Sequence, residues 1–302
     1  MKLFHALPLA VCTLLAAPWA SAQSALYWTG GSGNSVQASA ANGSGVADLQ
    51  TSLSTVPWGI TYGADGVFFS GQNGAIWRMD ANGSNFSDVA AMNVPRGIVQ
   101  TDDSVYIANA NGRIFQGTYN GTTLTLGSAI VAINGASFQG LTADANYLYW
   151  TDITNHLIQR SDLNGGNVTT LVSSGLNTPH DIQATASYLY WTDQANNVIQ
   201  RSALDGSNVT TLVNSTFLSS PTGLFVTADS LYFTQLNLGV YRSDLNGSNI
   251  SQLVTGGSGY RFLDGPLSAV PEPSSYATLL GCAALFGAMV VRRKQKDSGL
   301  GV

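Results

Sequence analysis

Apolar and aromatic residues recur along the chain in short runs that are spaced about 40 residues apart. The plainest run, Tyr-Leu-Tyr-Trp-Thr-Asp, stands at 147–152 and again at 188–193. Looser copies bring the series to six, with spacings of 41, 38, 43, 41 and 42 residues. Their aromatic anchors are Tyr27, Phe68, Tyr106, Tyr149, Tyr190 and Tyr232. Self-similarity at such a period is typical of repeat architectures.

Two further markers recur at the same period. Each unit carries an Asn-Gly or Asp-Gly pair between β-rich runs, which predicts a type I′ hairpin turn. These pairs begin at Asn42, Asn82, Asn120, Asn164, Asp205 and Asn246. A second short motif, of the kind Trp58-Gly59-Ile60, opens another strand in the later units.

Each unit therefore holds four short strands, and no stretch of these units shows a helical apolar period. The second strand carries bulky residues on both faces, as in Leu148, Tyr149 and Trp150. A sheet that is packed between two neighbouring sheets needs this pattern. The prediction is an all-β fold, a six-bladed β-propeller with four-stranded blades.

The first unit lacks an inner strand of its own, because few residues precede its aromatic run. The segment 260–267 follows the last outer strand and has no other partner. We therefore predict that it pairs into the first blade and closes the ring, since an open ring would expose a sheet edge.

The two ends of the chain read as targeting segments. Residues 1–22 have an apolar stretch and end in Ala20-Ser21-Ala22, which is typical of a secretory signal peptide. Residues 23–268 are then the propeller. Residues 269–302 hold an apolar stretch at 276–291 that predicts one transmembrane helix, followed by basic residues that are expected to stay cytoplasmic.

The C-terminal end resembles the PEP-CTERM sorting signal of Gram-negative bacteria. The residues that carry this resemblance are Pro271, Glu272, Pro273, Arg292 and Arg293. The resemblance implies recognition by an exosortase at the inner membrane, where the helix holds the protein transiently, and then delivery to the cell surface or extracellular matrix.

The repeats resemble the YWTD, or class B, repeats of low-density-lipoprotein-receptor propellers. The motif is complete at Tyr149 and Tyr190, and its aspartate survives as Asp152 and Asp193. The arginine that this family carries in the third strand is matched by Arg78, Arg160, Arg201 and Arg242. The resemblance implies a six-bladed ring.

Charge and composition exclude some functions. Residues 23–268 contain no cysteine, no lysine and no glutamate, with 15 aspartates against 7 arginines. Such an acidic surface argues against binding nucleic acid or an anionic membrane. We expect no metal, no cofactor and no enzymatic activity, because catalytic groups are scarce. The alternative is a lyase or lactonase, for which His180, Asp181 and Asp152 are the conceivable residues.

The best candidate site is the ring of residues just before the inner strands, at one mouth of the central channel. In order around the ring these residues are Trp58, Arg96, Gln139, His180, Thr222 and Arg261. Structural positions in a repeat tend to repeat, whereas these differ. An aromatic residue with two arginines would suit an acidic sugar. The leading hypothesis is a surface-displayed module that binds exopolysaccharide or a surface protein, and a further alternative is a structural matrix protein without a defined ligand.

Overall fold

Six four-stranded antiparallel sheets make up the structure, a computed structural model that describes residues 25–30, 34–256 and 259–265. Within each sheet the strands follow one another in chain order, except in the first. This confirms the predicted all-β, six-bladed propeller. The signal peptide at 1–22, the sorting segment at 269–302 and its helix at 276–291 lie outside the described residues. The described residues form no helix, and so none that could cross a membrane.

The strands are numbered in chain order, and blades 1 to 6 follow the same order. Blades 1 to 3 contain β1 (Ala25–Gly30), β2 (Ser35–Ala40), β3 (Ala47–Gln50), β4 (Pro57–Gly63), β5 (Gly66–Gly71), β6 (Ala75–Met79), β7 (Ser87–Ala91), β8 (Pro95–Gln100), β9 (Val105–Asn109), β10 (Arg113–Tyr119) and β11 (Leu124–Ala132). Blades 4 to 6 contain β12 (Phe138–Ala143), β13 (Tyr147–Asp152), β14 (Leu157–Asp162), β15 (Thr169–Val172), β16 (Pro179–Ala184), β17 (Tyr188–Asp193), β18 (Val198–Ala203), β19 (Thr210–Val213), β20 (Pro221–Val226), β21 (Ser230–Gln235), β22 (Gly239–Asp244) and β23 (Ser251–Thr255). The last strand, β24 (Leu263–Asp264), belongs to blade 1.

The second strand of each blade forms the core. Leu148, Tyr149 and Trp150 are all fully buried, so both faces of β13 are covered, as its sequence predicts. The one polar atom of the Trp150 indole donates to Oε1 of Gln159 on the neighbouring strand, at 3.1 Å. The outer strand β15 is exposed at its start, since nothing packs beyond it.

The apolar clusters lie between blades rather than within them. Tyr106 and Ile114 of blade 3 share one cluster with Phe138 and Trp150 of blade 4. Each blade is therefore stabilised by its neighbours, and we expect the ring to unfold as one unit.

The predicted closure is confirmed over the part of 260–267 that the structure describes. Leu263 and Asp264 pair antiparallel with Trp28 and Tyr27. The backbone N–H of Thr29 also donates to the carbonyl of Phe262 at 3.1 Å. The C-terminal end of the propeller thus supplies the inner strand that the N-terminal blade lacks.

The threonine of the YWTD motif ties neighbouring blades together at the start of the inner strands. Thr151 Oγ1 accepts from the N–H of Gly140 in its own blade and donates to the carbonyl of His180 in the next. Thr192 makes the same pair of bonds with Asp181 and Thr222. In blade 3 the equivalent residue is Ala108, which has no hydroxyl.

The predicted type I′ turns are not formed. Such a turn needs positive φ at both central residues, but only the glycines have it, with φ between 80° and 93°. The asparagine or aspartate before each glycine instead accepts a backbone N–H two residues on, as Asn82 does from Ser84 at 3.0 Å. This is an Asx turn, which uses the side chain rather than the φ tolerance of the residue.

Candidate functional site

The inner strands β4, β8, β12, β16, β20 and β24 surround a central channel. We call the face at the start of these strands the upper face, and the face at their ends the lower face. Five of the six candidate residues directly precede the glycine or aspartate that begins the tightly packed part of the inner strand. At this level a side chain in place of Gly140 would put its Cβ 2.7 Å from the His180 carbonyl oxygen. The inner strands of neighbouring blades therefore approach each other closely at this level. The candidate residues, which directly precede it in the sequence, lie around the channel mouth.

Three of the candidates form one contact group at the upper mouth. The guanidinium carbon of Arg96 lies 3.9 Å from the centre of the Trp58 ring, and that of Arg261 lies 4.3 Å from it. Each of the three side chains is partly exposed. Because both guanidinium groups lie over the indole, Trp58 holds the arginines in place, and little of its ring is left for a sugar to stack on.

Two other candidates support this group from below. His180 stacks beside Trp58 with ring centres 6.5 Å apart, and its Nε2 is 3.1 Å from Nε2 of Gln139. The amide nitrogen can only donate, so the neutral imidazole accepts at Nε2 and carries its proton on Nδ1. His180 and Gln139 are 4 % and 3 % exposed, so neither is open to a large ligand.

The sixth candidate, Thr222, is not part of the mouth. Its side chain is fully buried, and its hydroxyl donates to the carbonyl of Tyr260 at 2.8 Å. Thr222 occupies the position equivalent to the other candidates, but its short side chain packs blade 6 against the closing strand and does not reach the mouth. Thr222 is therefore removed from the set of exposed candidates.

The electrostatics of the mouth follow from burial and from the closeness of two cations. Burial lowers the pKa of Arg96, and the neighbouring Arg261 lowers it further. Burial also lowers the pKa of His180 to about 3, with Arg261 acting in the same direction, so this ring is uncharged at neutral pH. Stacking on an indole favours a guanidinium by about 0.5–2 kcal/mol, which offsets part of the repulsion.

Hydrogen-bond donors exceed acceptors in this group. Among the described residues, Trp58 Nε1 and Arg261 Nε are buried and have no hydrogen-bond partner. His180 Nδ1 is also buried, with only the Thr222 backbone near it and no bond of good geometry. Among the described residues the ion pairs do not include Arg96 or Arg261. A ligand rich in acceptor oxygens, and negatively charged, would complement this surplus.

The open part of the channel lies below the mouth. A cavity of about 640 Å³ runs along the inner strands to the lower face, where Ala64 and Asp102 in its wall are exposed. None of the six candidates lines it. Three carboxyl groups do, on Asp102 at the rim and on Asp181 and Asp264 farther in. From the sequence, Asp181 was a candidate only for the enzyme alternative, and Asp264 was not singled out.

The residues of the enzyme alternative are not brought together by hydrogen bonds. Asp152 accepts from the backbone N–H groups of Ser137 and Thr154, and so organises its own loop. Asp181 accepts from backbone N–H groups, and His180 contacts Gln139. Over the described ranges there is no group of three or more His, Cys, Asp or Glu side chains that could hold a metal ion.

Comparison with known proteins agrees with this architecture. The family model described as low-density lipoprotein receptor repeat class B matches residues 146–182 and 187–226. Each segment spans the outer three strands of one blade, 4 or 5, and runs into the inner strand of the next blade, and both contain the complete motif. The chain thus contains YWTD-type, class B repeats within its propeller.

A chain in the crystal structure of a nidogen/laminin complex has a similar fold. It superposes with a TM-score of 0.70 at 17 % identity, over 81 % of this chain and 99 % of that one. At this identity the likeness shows the fold alone. No curated protein sequence matches the chain.

Proposed function

We propose that the protein is a non-enzymatic binding module whose upper channel mouth takes an anionic ligand, with acidic exopolysaccharide as the first candidate. The surplus of donors around Arg96 and Arg261 is the observation that carries this proposal. Two guanidinium groups lie together, and none of the described residues gives them a carboxylate partner, although the propeller has about twice as many aspartates as arginines. Such a pair is stable when an anion joins it.

The mouth favours charge recognition over stacking. A carboxylate can accept two parallel bonds from one guanidinium, and the partly buried setting strengthens them relative to bonds in open water. The surrounding acidic surface would repel an anion elsewhere on the propeller. The ligand is therefore expected to approach from the upper face, at one place.

Removing either arginine is expected to weaken binding of a glucuronic acid oligomer about 10- to 100-fold, because a hydrogen bond to a charged group contributes roughly 1.5–3 kcal/mol. Arg96→Ala should also flatten the dependence of affinity on salt. Trp58→Ala should weaken binding at every salt concentration, because the indole orients both guanidinium groups. Titration calorimetry on the full-length protein measures these affinities.

A matched control is Arg113→Ala, which removes an exposed arginine of the same face outside the mouth. It should leave the affinity within twofold. A glucose oligomer of equal length should not bind. The proposal fails if the folded triple variant Trp58→Ala, Arg96→Ala, Arg261→Ala binds the acidic oligomer as tightly as the unaltered protein does.

The second candidate is an acidic segment of a surface protein. It is favoured by the likeness in fold to a chain from the nidogen/laminin complex, which is an assembly of two proteins. The same guanidinium groups would then pair with aspartate or glutamate side chains. Competition between a glutamate-rich peptide and the glucuronic acid oligomer ranks the two partners, since both would need Arg96 and Arg261.

The place of action is proposed from the chain ends. Pro271, Glu272 and Pro273 precede a short apolar stretch with a basic stop at Arg292 and Arg293. A plain anchor would need only the apolar stretch and the charges, so we propose exosortase sorting to the cell surface or matrix. Replacing the Pro-Glu-Pro triplet with alanines should leave the full-length protein in the inner membrane, as followed by fractionation and immunoblotting. Unchanged release of this variant from the inner membrane would contradict exosortase sorting.

A further inference from the structure

The lower channel has the size and wall of a ligand site. Its volume of about 640 Å³ falls in the range of about 300–1,000 Å³ that is usual for small-molecule pockets. The middle of the wall is apolar, with Ile60, Ile98 and Leu141 among its residues. Polar side chains are also part of the lining, among them Thr61, Gln100, Thr142, Gln183 and the aspartates.

Two carboxyl groups lie in the inner part of this wall, and one of them departs from the repeat. Asp181 stands where blades 2, 3, 4 and 6 have glycine, and it is 6 % exposed. Its two oxygens accept from the backbone N–H groups of Ile182 and Leu224. Asp264 stands on the closing strand and accepts from the N–H groups of Gly265 and Tyr62.

These carboxyl groups have no cationic partner. Within the described part of the chain, the lining of the cavity includes three aspartates, with Asp102 at the rim, and no lysine, arginine or histidine. Buried carboxylates are usually paired, because removal from water is costly without a counter-charge. Each carboxyl group here has two backbone N–H partners, and the Thr61 hydroxyl adds a third at Asp264. Two oxygens offer about four acceptor positions, so acceptor capacity remains on each group.

Like charge also accumulates around the lower opening. Asp65, Asp102, Asp103 and Asp229 are exposed on the turns that join first and second strands. Such a ring of one sign raises the local concentration of counter-ions at a low-dielectric opening. Arginines also lie at this end of the blades, and Arg78 donates to the carbonyl of Asp65. The attraction for cations is therefore expected in the channel, whose lining has aspartates and no arginine among the described residues, in contrast to the upper mouth.

We infer that the lower channel is a second binding site, for a ligand that carries a primary ammonium group on a small body. The ammonium donates to the free acceptor positions of Asp181 and Asp264, and the body contacts the apolar wall. An aminosugar and an aliphatic diamine both present this chemistry. The site is separate from the upper mouth, so the two binding proposals can be tested independently, and the failure of one does not overturn the other.

Matched ligands test the ammonium directly on the unaltered full-length protein. Glucosamine is compared with glucose, and 1,4-diaminobutane with 1,4-butanediol, by titration calorimetry at low salt. We expect at least one amine to bind at least tenfold more tightly than its hydroxyl counterpart. The amine that binds more tightly shows which of the two ligand classes, aminosugar or aliphatic diamine, the channel prefers. Equal affinities within both pairs, or no binding of either amine, would overturn the inference.

Variants place the site. Asp181→Asn and Asp264→Asn should each weaken amine binding at least tenfold, because an amide cannot become the carboxylate that a bound ammonium would stabilise. Asp229→Asn removes the same charge from the same face but outside the cavity lining, and should change affinity less than twofold. If Asp229→Asn weakens binding as much as Asp181→Asn does, the attraction belongs to the face and not to the channel, and the inference is wrong.

Discussion

Removing residues 257–302 is expected to prevent the propeller from folding. The deletion takes away the closing segment, in which Tyr260, Phe262 and Leu263 are each 3 % exposed. Burying side chains of this size contributes about 1.5–3 kcal/mol each, so the loss is roughly 5–8 kcal/mol. Domains are stable by only about 5–15 kcal/mol. The loss is therefore of the same size as the whole free energy of unfolding.

The loss also extends beyond these side chains. Without Leu263 and Asp264 the edge of β1 at Tyr27 and Trp28 has no partner strand, and an unpaired edge favours aggregation.

The matched control deletes residues 269–302 and keeps the closing segment. This shorter deletion should leave the melting temperature close to that of the full chain, as followed by circular dichroism. The longer deletion should give a soluble fraction that is small and lacks a cooperative transition. Two deletions that melt alike would show that the ring closes by some other means.

The free energy of unfolding is expected to fall by about 2 kcal/mol as pH rises from 4 to 6, because of Asp264. Burial raises the pKa of this carboxyl from 3.8 to about 6, against the opposing effect of hydrogen bonds from Tyr62 and Gly265. The folded state then binds its proton more tightly than the unfolded state does, so the stabilising effect is present at low pH and is lost as pH rises through 6. A shift of about two pH units corresponds to roughly 3 kcal/mol, which partial exposure to water reduces.

Asp181 acts in the same direction. Burial raises its pKa well above the ordinary value, and the nearby Asp264 adds to the rise, so its proton also stabilises the folded state and the loss of that proton as pH rises lowers stability further. The exposed Asp80 and Asp205 have lowered pKa values and act in the opposite sense, but their effect ends near pH 4.

Urea unfolding at a series of pH values measures this dependence. Asp264→Asn should flatten the curve between pH 4 and 6, since the amide does not titrate. Asp229→Asn, an exposed change of the same charge, should leave the slope as it is. A free energy of unfolding that rises between pH 4 and 6 would contradict the proposed burial of these two carboxyl groups.

The fold could be predicted because repetition multiplies a weak signal. One Tyr-Leu-Tyr-Trp run is compatible with many β structures, but six at nearly equal spacing leave few architectures. The closing strand could be predicted for a similar reason, since the first unit lacked a part that the segment 260–267 could supply. The Asx turns could not, because Asn-Gly suits several turns and neighbouring backbone decides among them.

The site was harder to predict than the fold. The repeat placed Trp58, Arg96 and Arg261 at one level of the channel, and the structure brings these three together. Side-chain length then determines which of the other candidates reach the mouth. The Thr222 side chain is short and stays within the interface between blades. Asp181 carried a visible signal, an aspartate at a position that is otherwise glycine in four blades. Asp264 carried none, because its position varies from blade to blade.

Because Ala108 has no hydroxyl, the hydrogen bonds that join neighbouring blades are not equally distributed around the ring. Along the other boundaries between blades, a threonine or serine links each blade to the next, with Thr29 donating to the Trp58 carbonyl and Ser70 to that of Arg96. At the boundary between blades 6 and 1, Thr234 reaches the carbonyl of Arg261 at 3.4 Å, and Thr222 adds a bond of 2.8 Å to the carbonyl of Tyr260. Among the described residues, only the boundary between blades 3 and 4 has no threonine or serine link of this kind. The ring is thus least tightly joined at one boundary, and separation of the two blades there would widen the channel while leaving every sheet intact.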